Sequence, residues 1–378
     1  MAKFCGECGS RLDKDTGLCP KCDKERLHGI RQKTPWRGII ISYLPSLLLA
    51  IVFLLIIVLK FFSPSDIVLA PSAGTEPKRI SHAVLRSDYD VQSDSGQAVP
   101  SYKVFGSAID KESIASIKFL NSLASAPKDA WDVSESRDNS VLAWVTPDGD
   151  SGQFDLFIAG DGGVWAPADC TYLFAEYRWM NSLDFNNAFF VRNCRTMRGM
   201  FFHDQFVTGL DFRGWDTSSV TDMSEMFLFC SSVEDLDLRN FNTSSVTNMN
   251  SMFSRCETIE VLDLSSFDTS SVTDMSGMFS QSWMLRDLNL SSFDTSHTVN
   301  MNSTFYSCTS LKKLDLSSFD TSSVRDSLAF LLGGVTLEEL TIGPDFDYSI
   351  LLNDAEILPF MEEDGTINGQ PWMTFLYA

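Results

Sequence analysis

The chain has 378 residues, 44% of them hydrophobic and 21% charged, a composition that excludes disorder along its whole length. The formal net charge of −21 is unevenly spread: residues 1–60 hold ten basic and five acidic side chains, and residues 61–378 hold 19 and 45. Such asymmetry implies two environments, and the acidic bulk would repel nucleic acid, so no nucleic-acid partner is expected.

The first 26 residues contain CGECGSRLDKDTGLCPKC, in which Cys5, Cys8, Cys19 and Cys22 form two CxxC pairs. Each pair can form a knuckle aiming two thiolates at one metal, so the quartet is expected to hold a structural Zn2+. The stretch resembles the N-terminal zinc ribbon found on many bacterial membrane proteins. Two roles stay open for it: a small bead folded by its metal, or a docking site for a cytoplasmic protein partner.

Residues 27–37 form a basic juxtamembrane segment, and residues 38–62 are expected to be a transmembrane helix, since 39–59 read IIISYLPSLLLAIVFLLIIVL without a charge. Lys24, Arg26, Arg31, Lys33 and Arg37 crowd the N-terminal side, so the positive-inside rule places the N-terminus in the cytoplasm. The localisation expected is a single-pass cell-membrane protein with an extracellular C-terminal part. Residues 63–100, rich in Ser, Pro, Asp and Gly, read as a stalk or linker.

Residues 101–168 read as a β-rich N-terminal cap. Ile114, Ile117 and Phe119 have strand-like spacing, and VLAWV at 141–145 and DLFI at 155–158 are two strands joined by the turn-rich TPDGDSG. Residues 169–344 repeat with a period of 26, starting at Leu210, Leu236, Leu262, Leu288, Leu314 and Leu340, with a weaker copy from Leu183. L-x-L is a short strand, closed by Phe241, Phe267, Phe293 and Phe319 or by Trp215. Val220, Met223, Met226 and Phe227 have the spacing of one face of a short helix, with Ser219, Ser245, Ser271 and Ser323 placed as in a capping box. The fold class expected is an α/β leucine-rich-repeat solenoid of parallel strands and short helices, capped at its far end by residues 345–378.

The Met column at 223, 249, 275 and 301 reads as core. Cys230, Cys256 and Cys308 share a column in which Ser282 takes the fourth place; buried thiols are the expectation, with a Cys230–Cys256 disulfide geometrically conceivable. Cys170 and Cys194 fall on core columns. Asp211, Asp237, Asp263, Asn289 and Asp315 sit between the two leucines and should form an outward ladder that a ligand could face. Asp216, Asn242, Asp268, Asp294 and Asp320 open the turn that follows. Stacked carboxylates can bind calcium; capping of backbone amides by the turn column and a solvated sheet column is the preferred reading.

The unit LDLSSFDTSSVTDMSGMF resembles the repeat of the BspA-like leucine-rich-repeat surface proteins of bacteria, and AWDVS, VLAWV and DLFIAGDGG resemble the start of such ectodomains. The resemblance implies an exported binding protein and carries over no catalytic residue. His82, His203 and His297 lie in no metal or nucleophile motif, and neither G-x-S-x-G nor HExxH occurs, so no enzyme is expected. The function expected is adhesion or recognition of an extracellular protein or glycan ligand. The alternative is an envelope receptor or scaffold that couples such binding to a cytoplasmic partner through the zinc ribbon.

Overall fold

The computed structural model describes residues 82–351 apart from 93–94, 150, 205–209, 235 and 334–336, together with the backbone of 366–367 and 370–371. All belong to one unit, residues 80–378. In chain order the strands are β1 (Tyr89–Val91), β2 (Ala98–Pro100), β3 (Ile114–Leu120), β4 (Trp131–Asp132), β5 (Val141–Pro147), β6 (Phe154–Gly160), β7 (Val164–Trp165), β8 (Ser182–Asp184), β9 (Phe189–Phe190), β10 (Val261–Asp263), β11 (Asp287–Asn289), β12 (Lys313–Leu316), β13 (Glu339–Ile342), β14 (Thr366–Ile367) and β15 (Gln370–Pro371).

The N-terminal part is a five-stranded sheet of order β4-β5-β6-β3-β8. β5 and β6 form the antiparallel hairpin that their alternation and turn composition suggest, burying Val141, Ala143, Leu156 and Ile158. β3 then pairs parallel with β6 on one side and with β8 on the other, where Ile117 faces Leu183. The first repeat strand is thus an edge strand of this sheet, and one core runs from Leu85 and Phe119 into the repeats. The fold also starts earlier than the linker boundary at 100: Ala83 and Leu85 are buried, and residues 83–86 hydrogen-bond to Val133 and Trp165.

From residue 169 the chain runs as stacked layers, with Thr196, Asp222, Asn248, Asp274, Asn300 and Asp326 in parallel bridges at successive intervals of 26. The expected α/β leucine-rich-repeat solenoid is corrected here. No α-helix occurs among the described residues, only four short 3-10 turns, and the repeat strands have three or four residues in two-stranded sheets such as β10-β11 and β12-β13. The segment expected to be helical is a chain of turns. Glu225, Ser251, Gly277, Ser303 and Ala329 have φ of 59°, 53°, 63°, 56° and 57°, and Phe229, Arg255, Gln281 and Ser307 have φ of 65°, 57°, 60° and 58°. A left-handed residue every fourth position cannot be part of a right-handed helix.

Its amides bond forward instead of inward. Met223, Glu225, Phe227 and Phe229 donate to the carbonyls of Asn248, Asn250, Met252 and Ser254 in the next layer, while Met226 and Cys230 close local turns onto Met223 and Phe227. Each buried amide is thereby satisfied. Val220, Met223, Met226, Phe227 and Cys230 still point inward, so the buried spacing of a helix is produced without one. Phe201, Phe227, Phe253, Phe279 and Phe305 stack with ring centroids 5.5–6.0 Å apart.

A buried threonine column ties layer to layer. Thr243 and Thr269 each donate to the carbonyl of the residue 25 positions ahead, Asp268 and Asp294, at 2.9 Å, and accept the amide of that same residue at 2.8 and 2.9 Å. The expected serine capping box is absent: Ser245, Ser271 and Ser323 donate to carbonyls of Ser218, Ser244 and Ser296 in the preceding layer.

Single-pass membrane placement is also corrected: among the described residues no helix is long and apolar enough to cross a membrane. The segment 38–62 that carried that expectation lies outside the described residues.

Thr269→Val keeps the shape of the side chain but strips one amide and one carbonyl of their shared hydroxyl. It should lower the urea unfolding free energy by about 2 kcal/mol. An unchanged midpoint would show that the column carries no such bond.

Candidate functional site

The outward strand face is built by the alternation of each L-x-L. Leu262, Leu314 and Leu340 are buried, while Val261, Asp263, Asp287, Asn289, Lys313 and Asp315 face out. The parallel register places Asp263 beside Asn289, whose side-chain amide donates to Asp263 at 3.3 Å.

The acidic ladder is engaged locally. Asp211, Asp237, Asp263, Asn289 and Asp315 each accept the amide two residues on, at 2.9–3.2 Å. Arg213 and Arg239 pair with Asp211 and Asp237 at 2.5 and 2.6 Å. Hydrogen bonds from the Arg239 side chain and backbone hold the Asp237 carboxyl down at about 2. The turn column does the same work: Asp216, Asn242, Asp268, Asp294 and Asp320 accept the amides of residues 218, 244, 270, 296 and 322. A third column, Asp222, Asn248, Asp274 and Asn300, also caps its own turn, a role the sequence reading did not assign. Among the described residues no group of three or more His, Cys, Asp or Glu is arranged to hold a metal, which corrects the metal-binding expectation there. Cys5, Cys8, Cys19 and Cys22 lie outside the described residues.

Charge pairs also cross between layers on this face: Arg286 with Glu260, Lys312 with Glu338 at 3.2 Å, and Lys313 with Glu339 at 2.5 Å. Between two layers lies an open groove of about 850 Å3, lined among others by Asp237, Arg239, Glu260, Val261, Asp263 and Met284. Val261 and Met284 are 57% and 44% exposed, so the groove offers apolar surface inside a ring of charge.

Sequence reasoning missed a second, buried polar cluster where the five-stranded sheet meets the first layers. Lys111 and Asp88 pair at 3.0 Å with side chains 1% and 3% exposed. Tyr177 and Asp204 lie with them, and Glu176 takes bonds from Arg178 at 2.6 Å and His203 at 3.1 Å. Burial opposes the Glu176 charge, but those two donors outweigh it and set the carboxyl below its usual range. These residues come from distant parts of the chain and share no motif, so no local signal announces them.

The cysteines of the repeat region are free and buried. Cys230, Cys256 and Cys308 donate to the carbonyls of Phe201, Phe227 and Phe279 one layer back, at 3.0–3.2 Å. Ser282 makes the same bond to Phe253 at 2.7 Å, which explains why serine can replace cysteine there.

Residues 168–261 and 253–335 match a family model described as "Mycoplasma protein of unknown function, DUF285". No curated protein and no solved structure matches the chain.

Burial pushes the thiols of Cys256 and Cys308 up, the latter to about 12. Both should therefore resist iodoacetamide in the folded protein and label after denaturation, as peptide mass spectrometry would read. Labelling of either thiol in the folded chain would contradict the layer packing.

Proposed function

We propose that the protein is a recognition protein of the surface-protein kind, which binds an extended protein or glycan along its outward strand face and performs no chemistry there. The observation that carries this reading is the groove at Val261 and Met284, where exposed apolar side chains sit among Asp237, Arg239, Glu260 and Asp263. Apolar contact surrounded by polar groups that fix orientation is the usual make-up of a specific binding patch. The parallel register extends the same face over adjacent layers, which suits a long partner better than a small one. The matched family occurs in BspA-like surface proteins, the class to which the repeat's wording is also similar.

A panel of immobilised extracellular-matrix proteins, mucins and cell-wall glycans, probed with the full-length chain, tests the proposal. Saturable binding to a member of the panel is expected. The double change Val261→Lys and Met284→Glu should weaken it at least about tenfold with an unchanged melting temperature. Binding that ignores both changes would place recognition elsewhere, and no binding to any class would sink the reading.

A further inference from the structure

Lys111 is the only Lys or Arg side chain buried among the described residues. It starts a 3-10 turn immediately before β3 and reaches inward. Its Nζ lies 3.0 Å from Asp88 Oδ2, donates to the Ala175 carbonyl at 3.0 Å, and sits 4.8 Å from the centre of the Tyr177 ring. Asp88 follows the segment 83–86 that is hydrogen-bonded to Val133 and Trp165. Asp204, fully buried, accepts the Tyr177 amide through Oδ1 at 3.0 Å; its Oδ2 and the Tyr177 hydroxyl have no hydrogen-bond partner. An amine and a carboxyl are therefore in contact beside the Tyr177 ring, and a second buried acid, Asp204, is close enough for Lys111 to act on its carboxyl electrostatically.

We propose that Lys111 and Asp88 condense into an intramolecular amide, a self-made covalent cross-link between the N-terminal segment and the sheet. Separated charges are costly without water, and passing one proton from Nζ to the Asp88 carboxylate 3.0 Å away removes them before the bond forms. Burial indeed raises the Asp88 carboxyl and raises that of Asp204 strongly. The Lys111 Nζ lone pair attacks Asp88 Cγ, forming the N–C bond. The Cγ–OH bond breaks, and the hydroxyl leaves with one Nζ proton as water. Asp204 passes that proton and ends in the form in which it began, so the step needs no oxidant, nucleotide or metal. Holding the two groups in contact makes the step effectively unimolecular, which is the largest help available to an amide-forming reaction at an unactivated acid.

A standing ion pair would place the same atoms in contact, and mass separates the two cases. The folded full-length wild-type chain, digested after denaturation, should yield a branched peptide joining the Lys111 and Asp88 fragments, one water lighter than their sum. Lys111→Arg and Asp88→Ala should each return the two linear peptides. Asp204→Asn keeps the acceptor for the Tyr177 amide and removes the acid. It should leave the circular dichroism of the wild type while the branched peptide is lost or forms at least tenfold more slowly. Linear peptides alone from the folded wild-type chain would overturn the proposal, and full branching in the Asp204→Asn chain would overturn the part given to Asp204.

Discussion

The amide-to-carbonyl bonds between neighbouring layers are the constraint on which the rest of the repeat region depends. Burying Val220, Met223, Met226, Phe227 and Cys230 carries their peptide groups out of water, and each amide must then find a partner. Here alternate amides reach to the next layer while those between them close tight turns. That choice fixes the 26-residue register, because a slip of one residue would turn every forward-pointing amide away from its acceptor. The phenylalanine stack, the threonine hydroxyls and the cysteine thiols all follow from it. Each adds a contact between neighbouring layers that recurs from repeat to repeat, so one short unit specifies the whole run.

Much of this order was legible in the residues, though its geometry was not. The period, the inward columns and the β5–β6 hairpin follow from spacing, since a side chain's burial depends on its recurrence and its turn partners. The helix at Val220–Cys230 did not follow. A spacing of 3, 3 and 1 reports which side chains face inward and is silent on whether the backbone between them is coiled or turned. The discriminating signal was the third Asx column, Asp222, Asn248, Asp274 and Asn300, each of which caps an amide two residues on. Side chains that bond their own backbone compete with a helix, and three such columns in every 26 residues leave little room for one. Ser282 in the cysteine column was a second such signal, since serine is a poor core filler and a good donor to a carbonyl.

The groove and the buried cluster differ in how they are written into the chain. Asp237, Asp263 and Asn289 on the outward face are placed by the repeat, so the sequence points to the face, and only the register shows that Val261 and Met284 open onto one groove. Lys111 and Tyr177 lie just before β3 and β8, whose parallel pairing no local pattern encodes, and Asp88 and Asp204 join them through contacts with Lys111 and with the Tyr177 amide. The two features complement one another. A face that holds a long partner is pulled upon by it, and a bond from residue 88 to residue 111 would tie the chain's N-terminal segment to the sheet that carries the layers.

The most direct test of the layered account is a scalar coupling across a single hydrogen bond in isotope-labelled protein. The Met249 amide donates to the carbonyl of Asp274, at 2.8 Å, in the following layer. Nuclear magnetic resonance should therefore show a coupling between the Met249 nitrogen and the Asp274 carbonyl carbon. A coupling from Met249 to the carbonyl of Ser245, the partner an α-helix would supply, would contradict the account.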